Sequence, residues 1–132
     1  MMPLEPLESA VVAKLLDGDH PLLTMLRQQV PLLSVKAREF TGGGFFTEFA
    51  ISGAMRAQLP FGKVCFGDVE ARIPGLQHGA GFLLYVDEGL ISMLEGYSYE
   101  EAWPEDIRHF SLNYLRADRA AELAKLGPIP GV

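Results

Sequence analysis

Apolar and polar residues alternate most regularly over residues 78–99, HGAGFLLYVDEGLISMLEGYSY. Phe82, Leu84 and Val86 alternate with Gly81, Leu83 and Tyr85, Asp87-Glu88-Gly89 interrupts the run, and residues 90–94 resume it. This predicts a β-hairpin with a three-residue loop ending on glycine, a position that needs φ > 0. Pairing Val86 with Leu90 sets Leu84 opposite Ser92 and Phe82 opposite Leu94. On the other face it sets Gly81 opposite Glu95, Leu83 opposite Met93 and Tyr85 opposite Ile91. Both faces are largely apolar, which predicts a mid-sheet hairpin covered on both sides.

The period is helical nearer the N-terminus. Leu7, Ala10, Val11, Lys14 and Leu15 share one face of a helix over residues 6–16, stopped by Gly18. Asp19 is the expected N-cap of a second helix over residues 20–30, with Pro21 in its first turn, Leu22, Leu23, Leu26 and Val30 as its apolar stripe, and Pro31 as its end. From Leu32 the period becomes two. Val35 and Ala37 point one way and Lys36 and Arg38 the other. Gly42-Gly43-Gly44 breaks the run, and Phe45, Thr47, Phe49 and Ile51 resume it, so that Lys36 and Arg38 can face Glu48 across the strands. Residues 53–60 read as a connection. Residues 63–73 read as one strand whose apolar phase switches at Gly67, the sign of a bulge. Phe110, Leu112 and Tyr114 mark a last strand, and residues 118–126 a short helix stopped by Gly127-Pro128. Strands in succession with helices segregated to the ends predict an α+β fold: two N-terminal helices packed on a mainly antiparallel sheet of about six strands, with a short C-terminal helix.

Length adds that 132 residues suit one domain. With 17 acidic and 11 basic residues the net charge is −6, which argues against binding nucleic acid or anionic membrane surfaces, since both draw on basic side chains. The apolar runs fall short of the ~20 residues a membrane span needs. The N-terminus lacks the basic region of a secretory signal. The one cysteine, Cys65, cannot form an internal disulfide. These features lead us to expect a cytoplasmic protein.

Candidate chemistry is sparse. Gly42-Gly43-Gly44 precedes a strand rather than a helix, so it reads as a hairpin turn and not a phosphate loop. His20, His78 and His109 share no metal-ligand spacing with one another or with Cys65, and no cofactor motif is evident. Cys65, beside Phe66, reads as a small buried hydrophobe. His78 precedes Gly79-Ala80-Gly81, where missing side chains allow close approach to the backbone. The hairpin brings Glu95, Tyr97 and Tyr99 towards the same end, and Trp103 follows in a short acidic loop. His78, Glu95, Tyr97, Tyr99 and Trp103 therefore form a candidate ligand-binding rim. Small residues accommodating crossing aromatics account for the same pattern without a ligand. With Gly81 opposite Glu95, His78 lies about 10 Å along the strand at the usual rise, so direct coupling demands a bend at Gly79 or Gly81.

The stretch HGAGF, an apolar hairpin, LEGYSY and Trp103-Pro104 also resembles a pattern in small bacterial proteins of uncharacterised function. The resemblance covers residues 78–104. It implies a bacterial cytoplasmic protein and transfers no activity and no functional residue. Two readings follow. The first is a non-enzymatic interaction or binding protein, of the immunity or accessory type, whose partner is another protein; small size, acidic charge and the lack of a nucleophile–base or metal signature motivate it. The second is a small-molecule binder or enzyme built on the five rim residues. A deep pocket lined by all five favours the second, and a flat acidic face the first.

Overall fold

The computed structural model describes residues 2–53 and 62–127. Helix α1, Pro6–Leu15, starts where Pro6 presets the backbone and where Glu8, three residues in, accepts the Glu5 N–H at 2.7 Å. Its apolar stripe of Leu7, Val11, Val12 and Leu15 is buried. Helix α2, Pro21–Arg27, is shorter than its periodicity predicts. Its N-cap is His20, not Asp19: Pro21 occupies the first helical position, so the residue before it is the cap, and the His20 ring accepts the Leu22 N–H at 3.2 Å. Beyond Arg27 the chain leaves the helix, and Val30–Leu32 forms a 3-10 turn around Pro31. Arginines satisfy carbonyls at the C-terminal end of α1 that the helix itself leaves open. Arg27 donates to the carbonyls of Leu16 and Gly18, and Arg119 to those of Leu15 and Asp17.

The fold is mixed α+β with an antiparallel sheet of seven strands. These are β1 (Leu33–Phe40), β2 (Gly44–Ile51), β3 (Lys63–Phe66), β4 (Val69–Arg72), β5 (Ala80–Asp87), β6 (Leu90–Ser98) and β7 (Ser111–Tyr114). The order is β1-β2-β6-β5-β4-β7, with β3 also paired to β5. The seventh strand arises at the phase switch. Residues 63–73 break at Gly67-Asp68 into β3 and β4, which meet the same edge of β5. The Gly67 N–H freed by the break donates to Glu122 at 2.8 Å. Glu122 belongs to α3, Ala120–Leu123, which a 3-10 turn over Ala124–Leu126 continues. That C-terminal element is thus shorter and less regular than one helix over 118–126. The connection expected over 53–60 lies, apart from Gly53, outside the described residues.

The β5–β6 hairpin lies mid-sheet, but its register differs from the expected one. The turn is two residues long: Asp87 pairs with Leu90, and Glu88 and Gly89 hold φ of 51° and 76°. Two successive positive φ values define the turn whose twist suits a hairpin. Ser92 is then an extra residue in β6, so Met93 pairs with Tyr85, Leu94 with Leu84, Glu95 with Leu83 and Tyr97 with Gly81. A second bulge sits in β1. Lys36 is extra between Val35 and Ala37, so Ala37, rather than Lys36 or Arg38, faces Glu48.

One face of the sheet carries Val35, Phe45, Thr47, Phe49, Phe66, Phe82, Leu84 and Leu94, all buried, and joins the α1 and α2 stripes in one core. Glycines opposite aromatics let this layer close. The Phe45 ring lies over Gly96, its nearest atom 2.3 Å from where a Cβ would stand. The other face is only partly covered, contrary to the expectation from its apolar sequence. Phe46, Leu83, Tyr85, Met93 and Tyr97 are half-buried there, and Glu48 is exposed.

Candidate functional site

Strand alternation puts three cross-strand rows on this open face. Glu70, Gly81 and Tyr97 form one row; Leu83, Glu95, Phe46 and Glu39 a second; Cys65, Tyr85, Met93, Glu48 and Ala37 a third. The rows interlock. The Tyr97 ring lies across Gly81, with ring atoms 2.5 Å from the position of an added Cβ, so only glycine fits beneath it. Tyr97 meets Tyr99 edge to face at 5.8 Å between centroids, a favoured aromatic geometry. The Tyr85 hydroxyl donates to Glu95 Oε1 at 2.8 Å, along the diagonal between two rows. That bond, then burial, pushes the Tyr85 phenol well above its ordinary value, because ionisation would set phenolate against carboxylate. Burial, followed by the neighbouring Tyr99, also raises Tyr97.

Of the five rim residues, Glu95, Tyr97 and Tyr99 thus share one face. His78 does not join them. The two-residue turn and the bulge at Ser92 together put Leu83 opposite Glu95, and His78 precedes Leu83 by five residues, roughly 16 Å of extended chain. The chain does bend at Gly79, where φ is 73°, but the carboxylate that meets this segment is Glu101. It accepts the N–H groups of Gln77 at 2.8 Å and His78 at 3.1 Å, and these donors, His78's first, hold the Glu101 carboxyl below the usual range. The His78 residue itself is exposed. Trp103 lies on the other side of the sheet, its ring edge-on to Phe45 at 5.3 Å and its backbone N–H donating to the Gly42 carbonyl at 2.7 Å.

At one end of the open face a cavity of about 560 Å³ is bounded by Lys36, Glu48, Lys63, Cys65, Tyr85 and Met93 among others. Burial pushes the Cys65 thiol up, which keeps it in its weakly nucleophilic form. The adjacent Tyr85 phenol is a donor already engaged by Glu95. Among the described residues no group of three His, Cys, Asp or Glu side chains could hold a metal ion, and no helix is long and apolar enough to cross a membrane. The face presents aromatic and thioether surface, the phenols of Tyr85 and Tyr97, and side chains of both charge signs, Glu48 with Lys36 and Lys63.

Alternation alone places Phe46, Leu83 and Met93 on a sheet face, yet no local signal says that this face is the less covered one. Tyr85 could have been singled out only through its diagonal to Glu95, which depends on the bulge at Ser92. Comparison with protein-family models, curated proteins and solved structures finds no match for this chain.

Proposed function

We propose that the protein is a non-enzymatic binding protein that docks a basic protein partner on the open face of its sheet. The observation that carries this reading is the face itself: Phe46, Leu83, Tyr85, Met93 and Tyr97 are half-buried, Glu95 stands among them, Glu39, Glu48 and Glu70 lie outside them, and Lys36 and Lys63 lie at one end. Aromatic residues and methionine are favoured at the centre of interfaces, and charge is favoured at their rims. The net charge of −6 sets the sign of the partner. Glu95, Tyr97 and Tyr99 belong to this surface, and an accessory or immunity role in a bacterial cytoplasm suits it. The small-molecule reading is weaker because His78 and Trp103 stand apart from those three.

The test is capture from a bacterial lysate by the immobilised protein, comparing wild type with Leu83→Asp/Met93→Asp. Circular dichroism checks that the variant is folded. The expected result is a partner held by wild type, released at roughly 0.5 M salt, where screening is strong, and not held by the variant. Equal capture by both proteins, or none by either, would remove this reading.

A further inference from the structure

On the helix side of the sheet lies a second concavity, a cleft of about 330 Å³ between the start of α1, the end of β1 and the loop after β6. Three aromatic rings converge on it. Phe45 is buried and forms the floor with Trp103, the two rings meeting edge to face with 64° between their planes. Phe40 stands at the mouth, 67% exposed, the most exposed large hydrophobic side chain among the described residues. The Trp103 N–H bond to Gly42 ties the loop to the β1–β2 turn, so the wall is held in place by backbone.

The charges around the cleft have a definite balance. Glu8 and Arg38 neutralise each other through two hydrogen bonds. Asp106 pairs with Arg108, but that pair is solvent-exposed and therefore weak. Glu5 and Glu105 also line the cleft without a salt bridge among the described residues; the Glu5 carboxylate caps α1 at the Glu8 N–H and feels the Arg38 charge, which leaves Glu105 as the freer of the two. A concave aromatic wall beneath an excess of carboxylates, Glu5, Glu8, Glu105 and Asp106 against Arg38, attracts a cation that can stack and hydrogen-bond at once. Guanidinium does both: its planar face lies on an aromatic ring while its edge donates two parallel bonds to a carboxylate. An ammonium is a compact, strongly hydrated point charge and stacks less well. An anion would meet the carboxylates, with the charge of Arg38 already balanced by Glu8.

We propose that this cleft receives an arginine side chain from a peptide segment, its guanidinium stacked on Trp103 and Phe40 and paired with Glu105 or Glu5. This site lies across the sheet from the open face and does not depend on the role proposed for that face.

Trp103 is the only tryptophan, so its fluorescence reports on the cleft directly. The experiment titrates the full chain with three blocked tripeptides, Ala-Arg-Ala, Ala-Lys-Ala and Ala-citrulline-Ala, where citrulline has the shape of arginine without its charge. The expected result is a saturable change with the arginine peptide in the millimolar range, several-fold weaker binding of the lysine peptide, and none of the citrulline peptide. Phe40→Ala and Glu5→Gln/Glu105→Gln should each weaken arginine binding about fivefold, the scale of one exposed cation–π contact or charge pair. These side chains are exposed, so the fold should persist. Leu83→Asp/Met93→Asp should leave the titration unchanged, which separates this site from the open face. No saturable change, equal binding of arginine and citrulline or of arginine and lysine peptides, or undiminished binding by both cleft variants would overturn the proposal.

Discussion

Arg38 reaches from β1 into the core side of the sheet and grips Glu8 of α1, Nε to Oε2 at 2.9 Å and Nη2 to Oε1 at 2.7 Å. The Thr47 hydroxyl and the Glu5 N–H donate to the same carboxylate. Glu8 is 3% exposed and Arg38 15%. The bulge at Lys36 makes this contact, because without it Arg38 would point to the open face.

Breaking such a pair strands a buried charge, so Arg38→Leu should lose about 3–5 kcal/mol in a urea melt. The pH dependence follows from Glu8. Burial alone would raise its pKa, but the hydrogen bonds from Arg38, Thr47 and the Glu5 N–H outweigh burial and lower it. A lowered folded pKa means that the stabilisation is present above the unfolded value, ~4.3, and is lost as pH falls through the folded one. Wild type should therefore lose stability below about pH 4 more steeply than Glu8→Gln does. Parallel pH profiles for the two proteins would contradict this.

Gln29 pins the central hairpin to the helical layer. Its amide donates to the Gly89 carbonyl at 2.8 Å and accepts the Ile91 N–H at 2.9 Å, and the residue is 1% exposed. Gln29→Leu leaves two buried backbone groups unpaired, each worth about 1–3 kcal/mol. Hydrogen exchange at the Ile91 amide should accelerate along with the loss of stability. A variant as stable as wild type would show that water replaces the side chain at no net loss.

The turn at Glu88-Gly89 makes a separate demand. Gly89 holds φ of 76°, where a side chain crowds the backbone by roughly 1–2 kcal/mol, and more if it is β-branched. Gly89→Val should lower the denaturation midpoint by at least that amount. Gly89→Asn, which tolerates this conformation, should recover most of the loss.

Tyr85 should be the last of the four tyrosines to ionise. Its hydrogen bond to Glu95 raises the folded pKa. The stabilisation is then fully present below the unfolded value of ~10 and is lost as pH rises through the folded one. Alkaline titration followed by phenolate absorbance should lose its latest step in Tyr85→Phe, and that step should move to lower pH in Glu95→Gln. An unchanged curve in Glu95→Gln would mean that the bond does not form in solution.

Local pattern by itself determined the α+β class, the antiparallel hairpins, the helix start at Pro6, a second helix with Pro21 in its first turn, the glycine turn that opens at Gly42 and an irregularity at Gly67. Each depends on a period of 2 or 3.6, or on the backbone limits of proline and glycine, and these act within a few residues. Tertiary structure alone decided the two bulges, at Lys36 and Ser92. Neither has a glycine to mark it. A one-residue insertion changes every pairing beyond it while leaving the local composition untouched. Contacts distant in sequence accompany both: Glu8 holds Arg38 turned inward, and Gln29 grips the backbone on either side of Leu90. With those contacts go the burial of Arg38 and, together with the two-residue turn at Glu88-Gly89, the pairing of Glu95 with Leu83. Side-chain fit across the whole layer selects a register, and no stretch of the chain holds that information alone.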